Sequence, residues 1–220
     1  MIHFDFVSKV YGSRVFALNT VNLKIARSEF LLVTGASGAG KSTLLRLIYG
    51  DIKPSHGSVY VGGQAVEDLS GSKLAYLRRQ LGIVFQDFKL LWNRSVLENV
   101  ALPVVIWNSK DIDPLYMAEK IMRDFDIWKY KDLYPYQLSG GEQQKVSICR
   151  ALVGDPWILI ADEPTGNLDP LASTEIFDMF KEASNRGRTV VVATHNERSV
   201  SMHSGRIVRL EKGRLLEQQS

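Results

Sequence analysis

The sequence predicts an α/β protein: a mainly parallel sheet built around a phosphate-binding loop, with an N-terminal antiparallel β subdomain and an inserted α-helical subdomain. Three observations lead there. The apolar run Phe30-Leu31-Leu32-Val33 is followed by the glycine-rich Gly35-Ala36-Ser37-Gly38-Ala39-Gly40-Lys41-Ser42 and then by Thr43-Leu44-Leu45-Arg46-Leu47-Ile48, which reads as strand, turn, helix. Residues 2–7, 15–25 and 57–62 read as short strands punctuated by Gly12, Gly57 and Gly62-Gly63, a hairpin-rich opening. From Phe88 to Ala151 the periodicity turns helical, before strand and helix alternate again. The chain is therefore one domain, residues 1–220, with a sheet-bearing core at 1–87 and 152–220 and a helical subdomain at 88–151.

Taken in order, Tyr11 in Ser8-Lys9-Val10-Tyr11-Gly12 is an aromatic ring in a predicted turn, able to stack on a purine. In the glycine-rich loop, backbone N–H groups can face phosphate oxygens with no Cβ in the way. Lys41 then reaches the β- and γ-phosphates, Ser42 sits on Mg²⁺, and Thr43 opens the helix behind them. Leu81 to Phe85 is a strand that stops at Gln86, whose position at a strand's carboxyl end makes it a candidate for Mg²⁺ or the attacking water. Three helices follow, over Val96 to Leu102, Pro114 to Phe125 and Gly141 to Val153. Ser139 and Glu142 have capping-box spacing. The adjacent Gly140 and Gly141 each cost a helix ~1 kcal/mol relative to Ala, which makes sense where a backbone must press against something. Trp157 to Ala161 is an apolar run ending in Asp162 and Glu163, suited to a metal and to an attacking water respectively. Thr189 to Thr194 is a further strand that delivers His195 to the same rim, a candidate γ-phosphate contact.

Composition narrows the function. A net charge of +3 with no long basic run gives no footprint for direct nucleic-acid binding. Cys149 is the single cysteine, so neither an internal disulfide nor a cysteine metal cluster can form, in keeping with a reducing compartment. The amino-terminal segment lacks a secretion-signal layout, and the longest apolar run, Val100 to Trp107, is short of the ~20 residues that span a bilayer. A cytoplasmic protein is expected. A phosphate-loop kinase or GTPase does not require Leu138-Ser139-Gly140-Gly141-Glu142, and no guanine-reading Asn-Lys-x-Asp is present.

The loop Gly35–Ser42, Gln86, Leu138 to Glu142, Asp162-Glu163, Gly166-Asn167-Leu168-Asp169 and His195 together resemble, in order and over nearly the whole chain, the motif set of ABC-type ATPases. Residues Glu163 to Asp169 are similar to the group containing macrolide-export, lipoprotein-release and cell-division members, and Leu77 to Pro103 look most like the cell-division (FtsE) group. The resemblance implies a RecA-like P-loop core that binds ATP and Mg²⁺, with Glu163 as catalytic base. It implies a homodimer with ATP sandwiched between Gly35–Ser42 of one chain and Ser139-Gly140-Gly141 of the other, and Asp169 in a loop communicating across it. It also implies an FtsX-like integral membrane permease as partner, docked near residues 86–107, and a peripheral position at the cytoplasmic face of the inner membrane. We expect the partner groove to be lined by Phe88, Leu90, Leu91, Trp92 and Val100 to Trp107. Exporter-type ATPases and a soluble nucleic-acid-acting ABC protein are the alternatives; the latter needs a long coiled-coil insertion or a second motif set. Three positions depart from the family pattern: Ser28, Lys145 and Asn196 stand where Gly, Arg and Asp are usual.

Overall fold

The chain opens with β1 (Ile2–Tyr11), which pairs antiparallel with β2 (Val15–Ile25), and continues through β3 (Phe30–Thr34) into helix α1 (Lys41–Ile48). Next come β4 (His56–Val61), β5 (Gln64–Ala65), α2 (Gly71–Arg79) and β6 (Leu81–Val84), then three helices, α3 (Val96–Trp107), α4 (Pro114–Asp124) and α5 (Gly140–Leu152). The last part alternates: β7 (Ile158–Asp162), α6 (Pro170–Asn185), β8 (Thr189–Thr194), β9 (Arg206–Glu211) and β10 (Arg214–Gln219). The computed structural model describes residues 1–12, 15–107, 112–166, 168–196 and 205–219. Asn167 of the Gly166–Asp169 motif lies outside them.

Two sheets form, an antiparallel one in the order β2-β1-β4-β5 and a six-stranded one in the order β10-β9-β3-β8-β7-β6. From β9 to β6 the larger sheet is parallel, and β10 closes one edge antiparallel to β9. Strands β3, β8, β7 and β6 are apolar on both faces because both are covered. With a side-chain period of two, Leu31, Val33, Ile158, Ile160, Val191 and Ala193 enter the core beneath α1 and the small sheet. Leu32, Leu159, Ala161, Val190 and Val192 enter a second core with α3 to α6. α1 is thus held between the sheets by Leu44, Leu45, Leu47 and Ile48, all essentially inaccessible, which fixes the loop at its N-terminus.

Several boundaries differ from those the sequence suggests. β1 runs four residues past Val7, to Tyr11, because an irregularity at Phe6, at φ 47°, resets the alternation and lets pairing with β2 resume. Helix α3 continues through Pro103 to Trp107 instead of stopping at Leu102. An internal proline costs a helix about 3 kcal/mol, but Val104 beyond it is buried, and the Trp107 ring lies so close to Gly154 that a Cβ there would collide with it. Long-range packing overrides the local preference. α4 and α6 begin as local chemistry dictates, each with an aspartate cap, Asp113 or Asp169, followed by proline.

Candidate active site

Parallel register brings four strand tips to one rim. Thr34 pairs with Thr194, Asp162 with Ala193, and Val84 with Ala161, so the residues that follow these strands emerge together at the sheet's carboxyl edge. From β3 comes the loop Gly35 to Gly40, from β7 Glu163, from β8 His195 and from β6, two residues on, Gln86.

Two of the loop's glycines are required by space as well as by conformation. Gly40 sits at φ 110°, and a Cβ on it would strike the Ala17 carbonyl of β2; one on Gly35, at φ 148°, would strike the Leu210 carbonyl of β9. The loop is therefore clasped between the two sheets, its main chain forming a cradle before α1. Lys41 is buried, with Nζ donating to the carbonyls of Gly35 at 2.8 Å and Ala36 at 3.2 Å. The same ammonium lies 3.2 Å from Glu163 Oε1.

Glu163 is the hub of the rim. Its backbone is left-handed at φ 46°, anchored by its N–H donating to Ala193 O at 2.8 Å. Its Oε2 accepts from the His195 N–H at 3.1 Å, and its Oε1 lies 2.9 Å from His195 Nδ1. Burial pushes the Glu163 carboxyl up, but the His195 side chain, the His195 N–H and Lys41 together outweigh it, so the group is held below the usual glutamate range. Asp162 is pushed the other way, first by burial and then by the neighbouring Glu163 charge, with the Ser42 hydroxyl bond and Lys41 opposing. Its Oδ1 is buried without a hydrogen-bond partner among the described residues. An orphaned carboxylate oxygen beside a serine hydroxyl is a donor set that fits Mg²⁺. Gln86 completes the rim: it is exposed, and its Nε2 lies 3.8 Å from where a Cβ on Gly166 would stand, a position itself 3.9 Å from Glu163 Cβ.

The remaining candidates fall elsewhere. Tyr11 is the last residue of β1, paired with Val15, not a turn residue; partly exposed, with Lys9 Nζ 5.4 Å from its ring centroid, it lies near enough to α1 to act on the Arg46 charge. Ser139, Gly140 and Gly141 stand apart from the phosphate loop, at the head of α5 and against α6. Ser139 and Glu142 form the capping box, with Ser139 N donating to Glu142 Oε2 at 2.8 Å. Both glycines are helical: a Cβ on Gly141 would meet Ala172 Cβ at 3.0 Å, whereas one on Gly140 would meet, among the described residues, only Leu168, at 3.5 Å. Asp169 caps α6, its Oδ1 accepting from Leu171 N and Ala172 N at 2.9 Å each.

The three departures are each accommodated: Ser28 takes a left-handed backbone with its hydroxyl donating to Gly187 O at 2.8 Å, Lys145 pairs with Glu175 at 2.7 Å, and the Asn196 N–H donates to Thr194 Oγ1 at 3.0 Å. The expected apolar groove needs correction. Leu90, Val100, Ala101 and Val104 are core residues, and Leu91 and Trp92, though exposed, are not among the residues lining the apolar cleft on this side of the fold. An apolar cleft of about 710 Å³ lies instead between α2, β6 and the C-terminal half of α3, with Leu74, Leu102, Pro103, Ile106 and Trp107 on its walls.

Two residues that position this region were missed. Arg150 of α5 donates from its two terminal nitrogens to Phe88 O and Lys89 O, at 2.6 Å each. Those residues both have left-handed backbones, φ 58° and 50°, so the guanidinium ties the helix of Gly140-Gly141 to the segment just after Gln86. Asn99, fully buried, exchanges hydrogen bonds with Leu91 N (2.7 Å) and O (3.0 Å) and donates to the carbonyls of Arg94 and Ser95. A polar residue on the buried face of an apolar helix was the available signal for Asn99.

Residues 18–166 match the protein-family model described as ABC transporter. The chain is 40% identical over 223 residues to the cell division ATP-binding protein FtsE of Bacillus subtilis (strain 168), covering all of this chain and 96% of that one. With its counterpart from Escherichia coli it shares 41% over 215 residues, covering 98% and 97%. Among solved structures, a dimeric ATP-binding cassette in a post-hydrolysis state bound to ADP and Pi is similar at TM-score 0.90 and 34% identity, with 100% of this chain and 98% of that one covered.

Proposed function

Because the chain belongs to the ABC transporter family of ATP-hydrolysing cassettes, we propose that it is the ATPase subunit of a bacterial cell-division complex that closes on ATP as a head-to-tail homodimer. The observation that carries the chemistry is Glu163 held ionised between Lys41 and His195 at the sheet's carboxyl rim. In this reading Lys41 exchanges its Glu163 contact for β- and γ-phosphate oxygens, and the loop N–H groups hold the rest of the triphosphate. Tyr11 stacks on the adenine. Glu163 takes a proton from water as that water attacks the γ-phosphorus, and the bond to the ADP oxygen breaks to give ADP and phosphate. Gln86 and His195 orient the water and the γ-phosphate. Ser42, Asp162 and Gln86 would hold Mg²⁺, which when bound neutralises charge on the phosphate oxygens.

Ser139-Gly140-Gly141 would act on nucleotide held by the other protomer, and Asp169 would communicate across the pair. The dimeric state of a 34%-identical cassette supports this. Among the described residues no helix is long and apolar enough to cross a membrane, so membrane association is assigned to a partner, an FtsX-like permease at the cytoplasmic face. We read residues 88–151 as the helical subdomain through which that partner is moved, and the cleft between α2 and α3 as its seat. The two relatives' cell-division names favour this over a lipoprotein-release or macrolide exporter.

Glu163→Gln keeps the shape of the site but accepts no proton. Hydrolysis is expected to fall by about 10²–10⁴-fold, with ATP still bound and the particle mass doubled in light scattering. A variant that stays monomeric at saturating ATP refutes the sandwich.

A further inference from the structure

The cleft between α2, β6 and α3 is apolar on its walls and cationic throughout its polar lining. Arg78, Arg79, Lys89 and Arg150 line it, and no carboxylate does among the described lining residues. Little of that charge is compensated. Arg78 donates to the carbonyls of Tyr49 and Gly50, at 3.0 Å each, and Arg150 to those of Phe88 and Lys89. Carbonyls satisfy N–H groups without neutralising the charge. Arg79 makes no ion pair among the described residues, and only Lys89 has an acid, Asp87 at 2.7 Å, with both ends open to solvent and therefore weakly coupled.

That combination selects an occupant. A purely apolar helix would cover Leu102, Ile106 and Trp107 well, but would strip water from the exposed Arg78 and Arg79 guanidinium groups and return nothing. A basic helix would be repelled. A helix with acidic side chains flanking its apolar face meets both demands: apolar anchors fill the walls, while carboxylates meet arginine forks at the rim. We propose that the segment seated in this cleft is such an acidic amphipathic helix, and that Arg79 and Arg78 on α2 select it by charge. This rests on the reading of the cleft as the partner's seat and adds the chemistry of what sits there.

The test is a display library of helical peptides of about sixteen residues, some four turns, with apolar residues fixed at i, i+3, i+4 and i+7 and the flanking positions randomised, selected against the full chain. Asp and Glu are expected to be enriched at the flanks. A labelled selected peptide should then bind at least about tenfold more weakly to Arg79→Glu, lose affinity as salt rises, and fail to bind Ile106→Glu. Both substitutions are at exposed positions, and Arg79→Gln provides a milder second variant whose effect should be smaller than that of Arg79→Glu. Selected peptides with neutral or basic flanks that still fail to bind Ile106→Glu, or acidic peptides that fail on Ile106→Glu but are indifferent to Arg79→Glu, overturn the charge selection and leave the docking reading standing, whereas peptides indifferent to Ile106→Glu are not seated in the cleft and count against the docking reading as well. Recovery of no binding peptide at all defeats the docking reading itself, and this inference with it.

Discussion

Replacing Arg150 by Met tests whether the segment after Gln86 is held or merely rests in place. Hydrogen bonds to a charged group contribute about 1.5–3 kcal/mol each, so the two from the guanidinium to Phe88 O and Lys89 O amount to roughly 3–6 kcal/mol. Against this stands the burial of a charge: Arg150 is pushed down to about 10 by desolvation, which sets the cost of keeping it charged there at about 3 kcal/mol. Methionine keeps much of the stem's packing and avoids that cost. The net loss is therefore about 0–3 kcal/mol, centred on ~1.5 kcal/mol, which at that centre lowers Tm by about 3–6 °C for a chain of this length. Activity should suffer out of proportion. Phe88 and Lys89 are freed to leave their left-handed conformations, and a displacement of about 1 Å at Gln86 is worth about 10²-fold in rate, read as a fall in kcat with KM for ATP little changed. Arg150→Lys should recover only part of this, since a point charge cannot span two carbonyls as the fork does. Steady-state ATPase assays beside thermal melts decide the matter. A melt shifted as stated with kcat within about twofold of the parent would show that the clamp serves stability alone, and a raised melt, or one lowered by more than about 12 °C, would contradict this balance.

The phosphate loop predicts a contrast between two glycines. Gly40→Ala places a methyl against the Ala17 carbonyl and 3.0 Å from Leu18 Cδ2, whereas Gly38→Ala meets nothing within 4 Å among the described residues and bears its φ of 77°. The second should cost about 1 kcal/mol and the first several times that, with ATP affinity falling alongside; equal melts for the two variants would contradict the clasped loop. A pH series tests the Glu163 site. Because its folded carboxyl is held below the ordinary glutamate value of 4.5, its contribution is fully present above that pH and is lost as pH falls through the lowered folded value. The stability difference between the parent and Glu163→Gln, measured by urea unfolding, should thus shrink on acidification below about 4.5. A difference that grows instead would mean that burial outweighs His195 and Lys41.

What the sequence disclosed and what it concealed divide along the range of the forces involved. The loop from Gly35 to Ser42, the strand ending at Asp162 and the Ser139–Glu142 cap were legible because neighbours within a few residues determine them. Parallel register then brought Gln86, Glu163 and His195 to one edge as a consequence of strand polarity. The passage of α3 through Pro103 was hidden because it depends on Trp107 meeting Gly154, and the hold of Arg150 on Phe88 and Lys89 because nothing local marks either as left-handed. The adjacent glycines of α5 fall between these cases. Gly141 has an explanation inside one chain, since a Cβ there would stand 3.0 Å from Ala172 Cβ, tighter than packed methyl groups normally come. Gly140 has none among the described residues: a Cβ would lie 3.5 Å from Leu168, an ordinary contact, so alanine would fit. A helical glycine that its own chain does not require is best accounted for by an approach from outside it. In the dimer proposed above, the group that comes close to the Gly140 backbone is the triphosphate held by the other protomer.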